Sequence, residues 1–182
     1  MNIIKRHLPS HLYSKHKLKP VGSVIHYISN KYAKPLDPFN LEDIIQIFHT
    51  YKVSAHYLID RDGTIYELVP PTQQAWHAGK SIMYGQENCN AFTFGVELVS
   101  TGREHNGEKA FTDEQIEACI ELHLQLIKDY DINSRHIHGH DTVRKNWQRR
   151  YPEQKAKNKH DPGAQYPWPY FRLELDTRAN RI

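Results

Sequence analysis

Apolar positions along the chain change period several times, and each change marks an element. VIHYI (24–28) is a β-branched and aromatic run that predicts a strand. Beyond it, Leu41, Ile44, Ile45 and Phe48 fall at the i, i+3, i+4, i+7 spacing of a helix face, with Asn40 placed as N-cap and Asp43 in the first turn. HYLI (56–59) and TIYELV (64–69) flank the tripeptide R-D-G at 61–63. Asp-Gly supplies the positive φ of a tight turn, so this pair predicts a hairpin. FGVELV (94–99) is apolar apart from Glu97 and predicts a central strand. Thr112 and Gln115 form a capping box ahead of Ile116, Ile120, Leu126, Ile127 and Tyr130. HIHGH (136–140) reads as a short strand running into a loop, and the prolines of PWPYFRLELD open a final helix.

Polar stretches separate these elements. Residues 1–22 read as a lead-in ending at Pro20 and Gly22, and residues 70–90 as a loop of small and polar residues. The stretch 142–159 is strongly polar, with Arg144, Lys145, Arg149, Arg150, Lys155 and Lys157, and is expected to leave the core. Strands alternating with helices, plus one hairpin, predict an α/β fold: a mixed central β-sheet flanked by helices. A single domain over residues 23–182 is expected, with a basic insertion at about 142–158.

Composition adds three constraints. The chain has 182 residues and a formal net charge of +3, a mildly basic balance that suits a polyanionic partner without identifying one. The basic residues sit mostly in one stretch and match no nucleic-acid-binding motif, so nucleic acid is not an expected partner. The two cysteines, Cys89 and Cys119, lack CxxC spacing, so no disulfide framework or thiolate metal site is visible. The opening MNIIKRHLPSHLYSKHK has no apolar run of signal-peptide length, and nowhere is there a stretch of membrane-spanning length. A cytoplasmic monomer is the expectation.

Thirteen histidines direct attention to metal-ligand spacing. His26 lies among apolar residues on a strand, His140 follows a glycine at a strand end, and Asp161 precedes Pro-Gly, whose rigid turn fixes a carboxylate. Two imidazoles and one carboxylate suit zinc and leave a fourth position open for water. Spacing alone leaves His136, His138 and His160 as competitors. It also leaves the simpler readings of a core histidine and a turn aspartate. Glu97, alone in its apolar run, must either be paired or face a site.

Six stretches in order, VIHYIS, SAHYLIDRDGTIYELVP, AWHAG, GQENCNAFTFGVELVSTG, GHD and K-H-D-P-G, resemble the zinc-dependent N-acetylmuramoyl-L-alanine amidases. That family includes short phage lysozyme-type amidases and the animal peptidoglycan recognition proteins. The resemblance runs from about Val24 to Trp168 and is strongest to the cytosolic branch that trims anhydro-muropeptides. It implies one zinc ion per chain, held by His26, His140 and Asp161. It also implies Glu97 as general base and Lys159 as the group that stabilises the oxyanion. Gly139 singles out His140, and Pro162 with Gly163 singles out Asp161. The resemblance further implies that His56, Trp76, His77 and Asn90 contact substrate. For His56 a packing role in the hairpin is the alternative, and for Trp76 plain core packing. The implied substrate is peptidoglycan or a muropeptide. It is met either by a phage endolysin released to the wall with a holin, or by a cytosolic recycling enzyme. A non-catalytic wall-binding module is the alternative class. Two departures stand out: the basic insertion, and Gln86 where the recycling branch has arginine.

Overall fold

Six strands form the central sheet of the computed structural model, which describes residues 2–30, 37–154 and 157–181. The strands are β1 (Ile3–Lys5), β3 (Gly22–Ile28), β4 (Tyr57–Ile59), β5 (Ile65–Glu67), β9 (Thr93–Val99) and β10 (Ile137–Gly139), in the order β1-β5-β4-β9-β3-β10. The β4, β9, β3 and β10 strands run parallel, β5 is antiparallel to β4, and β1 is parallel to β5. Strand β3 pairs with β9 along its whole length, which sets His26 beside Glu97. Side chains on a strand alternate between faces. Ile25, Phe94, Val96 and Leu98 therefore pack beneath α2 (Asp113–Tyr130) and α4 (Trp168–Ala179). On the other face, Leu58 and Val99 meet Ile44 and Phe48 of α1 (Leu41–Tyr51), while Val24 meets Val143 of α3 (His140–Arg150). His26 and Glu97 share this second face.

Local signals act as their residue types dictate. Asn40 Oδ1 accepts from the Asp43 N–H at 3.1 Å, and both halves of the Thr112–Gln115 capping box are made. The hairpin turns at Gly63, whose φ of +84° admits few side chains. A β-carbon there would also lie 2.9 Å from the Glu114 carbonyl oxygen.

Two expectations need correction. The supposed lead-in belongs to the fold: β1 pairs with β5, β2 (Tyr13–Lys17) pairs with β6 (Gln73–Ala75), and Leu8, Leu12 and Leu18 are buried. Edge strands are held by their backbones while most side chains stay wet, so this segment reads as polar. The basic stretch after His140 is no excursion either, because α3 starts at His140 itself and buries Val143, Arg144 and Trp147. Two apolar anchors in eleven residues were too sparse to reveal its inner face. Lys155, part of that stretch, lies outside the described residues. The loop at 70–90 also carries β6 and the short pair β7 (Ile82–Met83) and β8 (Gln86–Glu87). No described helix is long and apolar enough to cross a membrane.

Two buried imidazoles tie the layers together. His123 on α2 donates from Nδ1 to the Cys119 carbonyl at 2.7 Å and accepts at Nε2 from Ser23 Oγ on β3 at 3.1 Å. His56 donates from Nε2 to the Gln73 carbonyl and accepts at Nδ1 from the Gly95 N–H, both at 2.9 Å. A neutral ring satisfies each arrangement, with one donor and one acceptor. Burial pushes both imidazoles down to about 4 from an ordinary 6.5. A folded-state value below the unfolded one gives stability that is fully present above pH 6.5 and lost as pH falls toward 4. Each ring accounts for on the order of 3 kcal/mol of that loss. Urea denaturation at steps between pH 7 and 4 should therefore show a steep decline across this window. His123→Gln should be less stable at pH 7 and show a shallower decline, and an unchanged slope would contradict the assignment.

Candidate active site

Three atoms from distant parts of the chain meet at the sheet. His26 Nδ1, His140 Nδ1 and Asp161 Oδ2 lie 3.0 Å from one another in every pairing. The remote nitrogens fix what these atoms can do. His140 Nε2 lies 3.1 Å from the Ala78 carbonyl oxygen, which can only accept, so the ring proton sits there. His77 Nε2 faces the Thr93 carbonyl oxygen at 3.3 Å and donates to it. That leaves His77 Nδ1 to accept from His26 Nε2–H at 3.1 Å. Both inward Nδ1 atoms therefore present lone pairs, toward each other and toward a carboxylate oxygen. Three acceptors in contact repel unless a cation joins them, and the donor set is one that zinc takes.

Local structure explains the flanking glycines and the proline. A β-carbon at Gly139 would lie 2.7 Å from Pro162 Cδ, so only glycine lets the 161–163 segment close on the end of β10. The Asp141 N–H, free in the first turn of α3, donates to the Asp161 carbonyl at 2.9 Å and holds that segment in place. Gly95 does the same for the other imidazole, since a β-carbon there would lie 2.4 Å from His77 Cγ. The competing histidines point elsewhere. His136 Nδ1 faces the Val21 carbonyl oxygen, His138 Nε2 faces the Tyr84 hydroxyl, and His160 is exposed.

Burial pushes His26 down to about 4 and His77 well below its ordinary value. Glu97 goes the other way. Burial, then the charge of Asp161, pushes it up to about 8, with Lys159 opposing. Its Oε2 has no hydrogen-bond partner among the described residues.

A cleft of about 520 Å³ opens over this cluster, lined by Glu97, Lys159, Trp76, His77, Tyr51 and the three converging residues. The remaining sequence candidates divide. Trp76 is half-exposed on the cleft wall, while His77 both lines the cleft and braces His26. His56 is fully buried with both nitrogens engaged by backbone, so it packs behind the site and cannot touch substrate from there. Asn90 Oδ1 accepts from the His77 and Ala78 N–H groups at 3.0 and 2.8 Å, so it shapes the loop that braces both imidazoles. Sequence reasoning missed Tyr51 and the Ala78 carbonyl. Tyr51 closes a helix whose apolar spacing had already been assigned to packing, and a backbone acceptor leaves no trace in residue type.

Comparison with known proteins agrees with this geometry. The family described as Amidase_2, N-acetylmuramoyl-L-alanine amidase, matches residues 16–164. A 1,6-anhydro-N-acetylmuramyl-L-alanine amidase, AmpD, from Enterobacter cloacae is 32% identical over 190 residues, covering 97% of this chain and 92% of the relative. Among solved structures, a selenomethionine AmpD derivative superposes with a TM-score of 0.70 at 30% identity, covering 94% of each chain. The Escherichia coli amidase AmiD, solved with anhydro-N-acetylmuramic acid-L-Ala-D-γ-Glu-L-Lys as substrate, gives 0.63 at 26% identity, covering 93% of this chain and 61% of AmiD. A family match over most of the sequence, with a fold shared end to end, makes this chain a member of the N-acetylmuramoyl-L-alanine amidase family.

Proposed function

We propose that this amidase uses one zinc ion, held by His26, His140 and Asp161, to hydrolyse soluble anhydro-muropeptides in the cytoplasm. The bond cut is the amide between the lactyl group of N-acetylmuramic acid and L-alanine. The observation that carries the reading is the convergence of three proton-free acceptors beside the unpartnered Oε2 of Glu97. When bound there, zinc supplies Lewis-acid chemistry, polarising a carbonyl and making water acidic enough to ionise near pH 7.

The chain's own residues do the rest. Ionised Glu97 takes a proton from the attacking water and returns it to the leaving nitrogen of L-alanine. Its raised proton affinity suits both halves of that exchange. Lys159 offers its ammonium to the oxyanion that develops on the carbonyl. His77, locked by the Thr93 carbonyl, keeps the His26 ring oriented. Trp76 and Tyr51 give apolar walls to sugar or peptide. The names and the bound molecule of the AmpD and AmiD relatives support an anhydro-muropeptide substrate.

Intact wall is a second reading, favoured by one observation. A further cavity of about 420 Å³ runs along α1 and shares Tyr27, Ile28, Ile47 and Tyr51 with the cleft, leaving room for a longer glycan. A wall-binding module without catalysis is disfavoured by the complete ligand set and the free carboxylate.

Three outcomes are expected. Purified protein should carry one zinc per chain by elemental analysis, and His140→Ala should lose both metal and activity. A wild type that stays fully active after exhaustive chelation would refute the mechanism. Glu97→Gln should retain the metal while kcat falls roughly 100- to 10,000-fold. Mass spectrometry of digests should find free stem peptide released from soluble anhydro-muropeptide faster than from purified wall. Turbidity loss of walls with no turnover of the soluble compound would favour the endolysin setting instead.

A further inference from the structure

Both histidines of the converging trio take their outer contact from one short strip of chain. His77 accepts the His26 Nε2–H and the Ala78 carbonyl accepts the His140 Nε2–H, each at 3.1 Å. Two adjacent residues thus aim two rings that stand 114 positions apart in the sequence. Neither residue belongs to a helix or strand, so no regular ladder fixes the strip. One side chain does. Asn90 Oδ1 accepts from the His77 N–H at 3.0 Å and from the Ala78 N–H at 2.8 Å. Both partners are donors, so the amide oxygen and not the nitrogen must face them. The nitrogen has no protein partner among the described residues, and Asn90 does not line the cleft.

Asn90 is itself held from both sides. It sits at the middle of the single 3-10 turn Cys89–Ala91. Ser81 Oγ accepts from the Cys89 N–H at 3.1 Å, and the Ser81 carbonyl accepts from the Asn88 N–H at 3.1 Å. Thr93 Oγ1 donates to the Cys89 carbonyl at 2.7 Å. Ser81 and Thr93 are both buried, and Thr93 opens β9, the strand that carries Glu97. The turn therefore refers both rings to the strand of the free carboxylate. A group behind a metal ligand usually orients that ligand alone. Asn90 acts on two ligands through neighbouring N–H groups, so removing it would loosen both together. Ligands that must be ordered during binding hold a metal less tightly than ligands already in place.

We propose that Asn90 is a positioning residue that sets the metal affinity of the site by fixing the outer contacts of His26 and His140 together, without touching substrate. This rests on the reading of His26, His140 and Asp161 as zinc ligands. The test measures the zinc Kd of the full chain by competition with a chromogenic chelator, alongside thermal unfolding and kinetics at saturating zinc. Asn90→Ala should weaken zinc binding roughly 10- to 100-fold. Once loaded, that variant should keep the wild-type KM. Asn90→Asp retains an acceptor oxygen for the two N–H groups and should recover most of the lost affinity. If Asn90→Ala does not fold, Asn90→Ser, with a shorter acceptor, should show a smaller weakening in the same direction. A lower Tm with unchanged zinc affinity in Asn90→Ala would mean a purely structural role and overturns the assignment. A raised KM at saturating zinc with unchanged affinity returns Asn90 to the substrate and overturns it equally. So does an Asn90→Asp variant that binds zinc no better than Asn90→Ala. Each of these leaves the zinc-ligand reading standing, whereas a wild type that binds no zinc overturns both.

Discussion

The seven-residue parallel ladder between β3 and β9 admits one register. Strand side chains repeat every two residues, so a slip of β3 by one against β9 would send His26 into the packing beneath α2 and α4 and leave Glu97 without it. It would also push Ile25 into the cleft. Burying an imidazole while wetting a branched apolar side chain is costly, so packing on one face fixes chemistry on the other. The remaining site residues are brought to this fixed pair. His140 arrives at the start of α3, next to the edge strand that pairs with β3, and Asp161 arrives on a segment tied to that helix's first turn.

Rigidity of the cluster comes mostly from main-chain groups. The Thr93 and Ala78 carbonyls set the protonation pattern of the histidines, and Asn90 holds the strip of loop that carries His77 and Ala78. Because each outer nitrogen already has a partner, the inner lone pairs need no rearrangement to accept a cation. Such preorganisation avoids an ordering cost at the moment of binding.

Legibility in the sequence followed from what each residue type can report. Period-two and helical repeats, the two caps and the Asp-Gly turn stated their elements directly, because each acts through its nearest neighbours. Elements anchored by few apolar side chains did not. The first strand is held by backbone pairing and α3 by Val143 and Trp147, so charge dominated the reading of both. The site divided in the same way. The family pattern identified the converging trio and Glu97, and the coordinates bring them together. The same pattern also nominated His56 and Asn90 for substrate contact. A polar side chain near a cleft can face inward or brace the wall from behind, and only the direction of its hydrogen bonds distinguishes the two.

Gly95 and Gly139 carry no functional group, yet each leaves a space that a neighbouring ring fills, His77 in one case and Pro162 in the other. Drift at these positions would therefore be as damaging as drift at a ligand, through displacement rather than lost chemistry. A sequence that kept every histidine and carboxylate but exchanged either glycine for alanine would look intact and be broken. Inventories of reactive residues overlook this kind of inactivation, because the determinant is a missing atom.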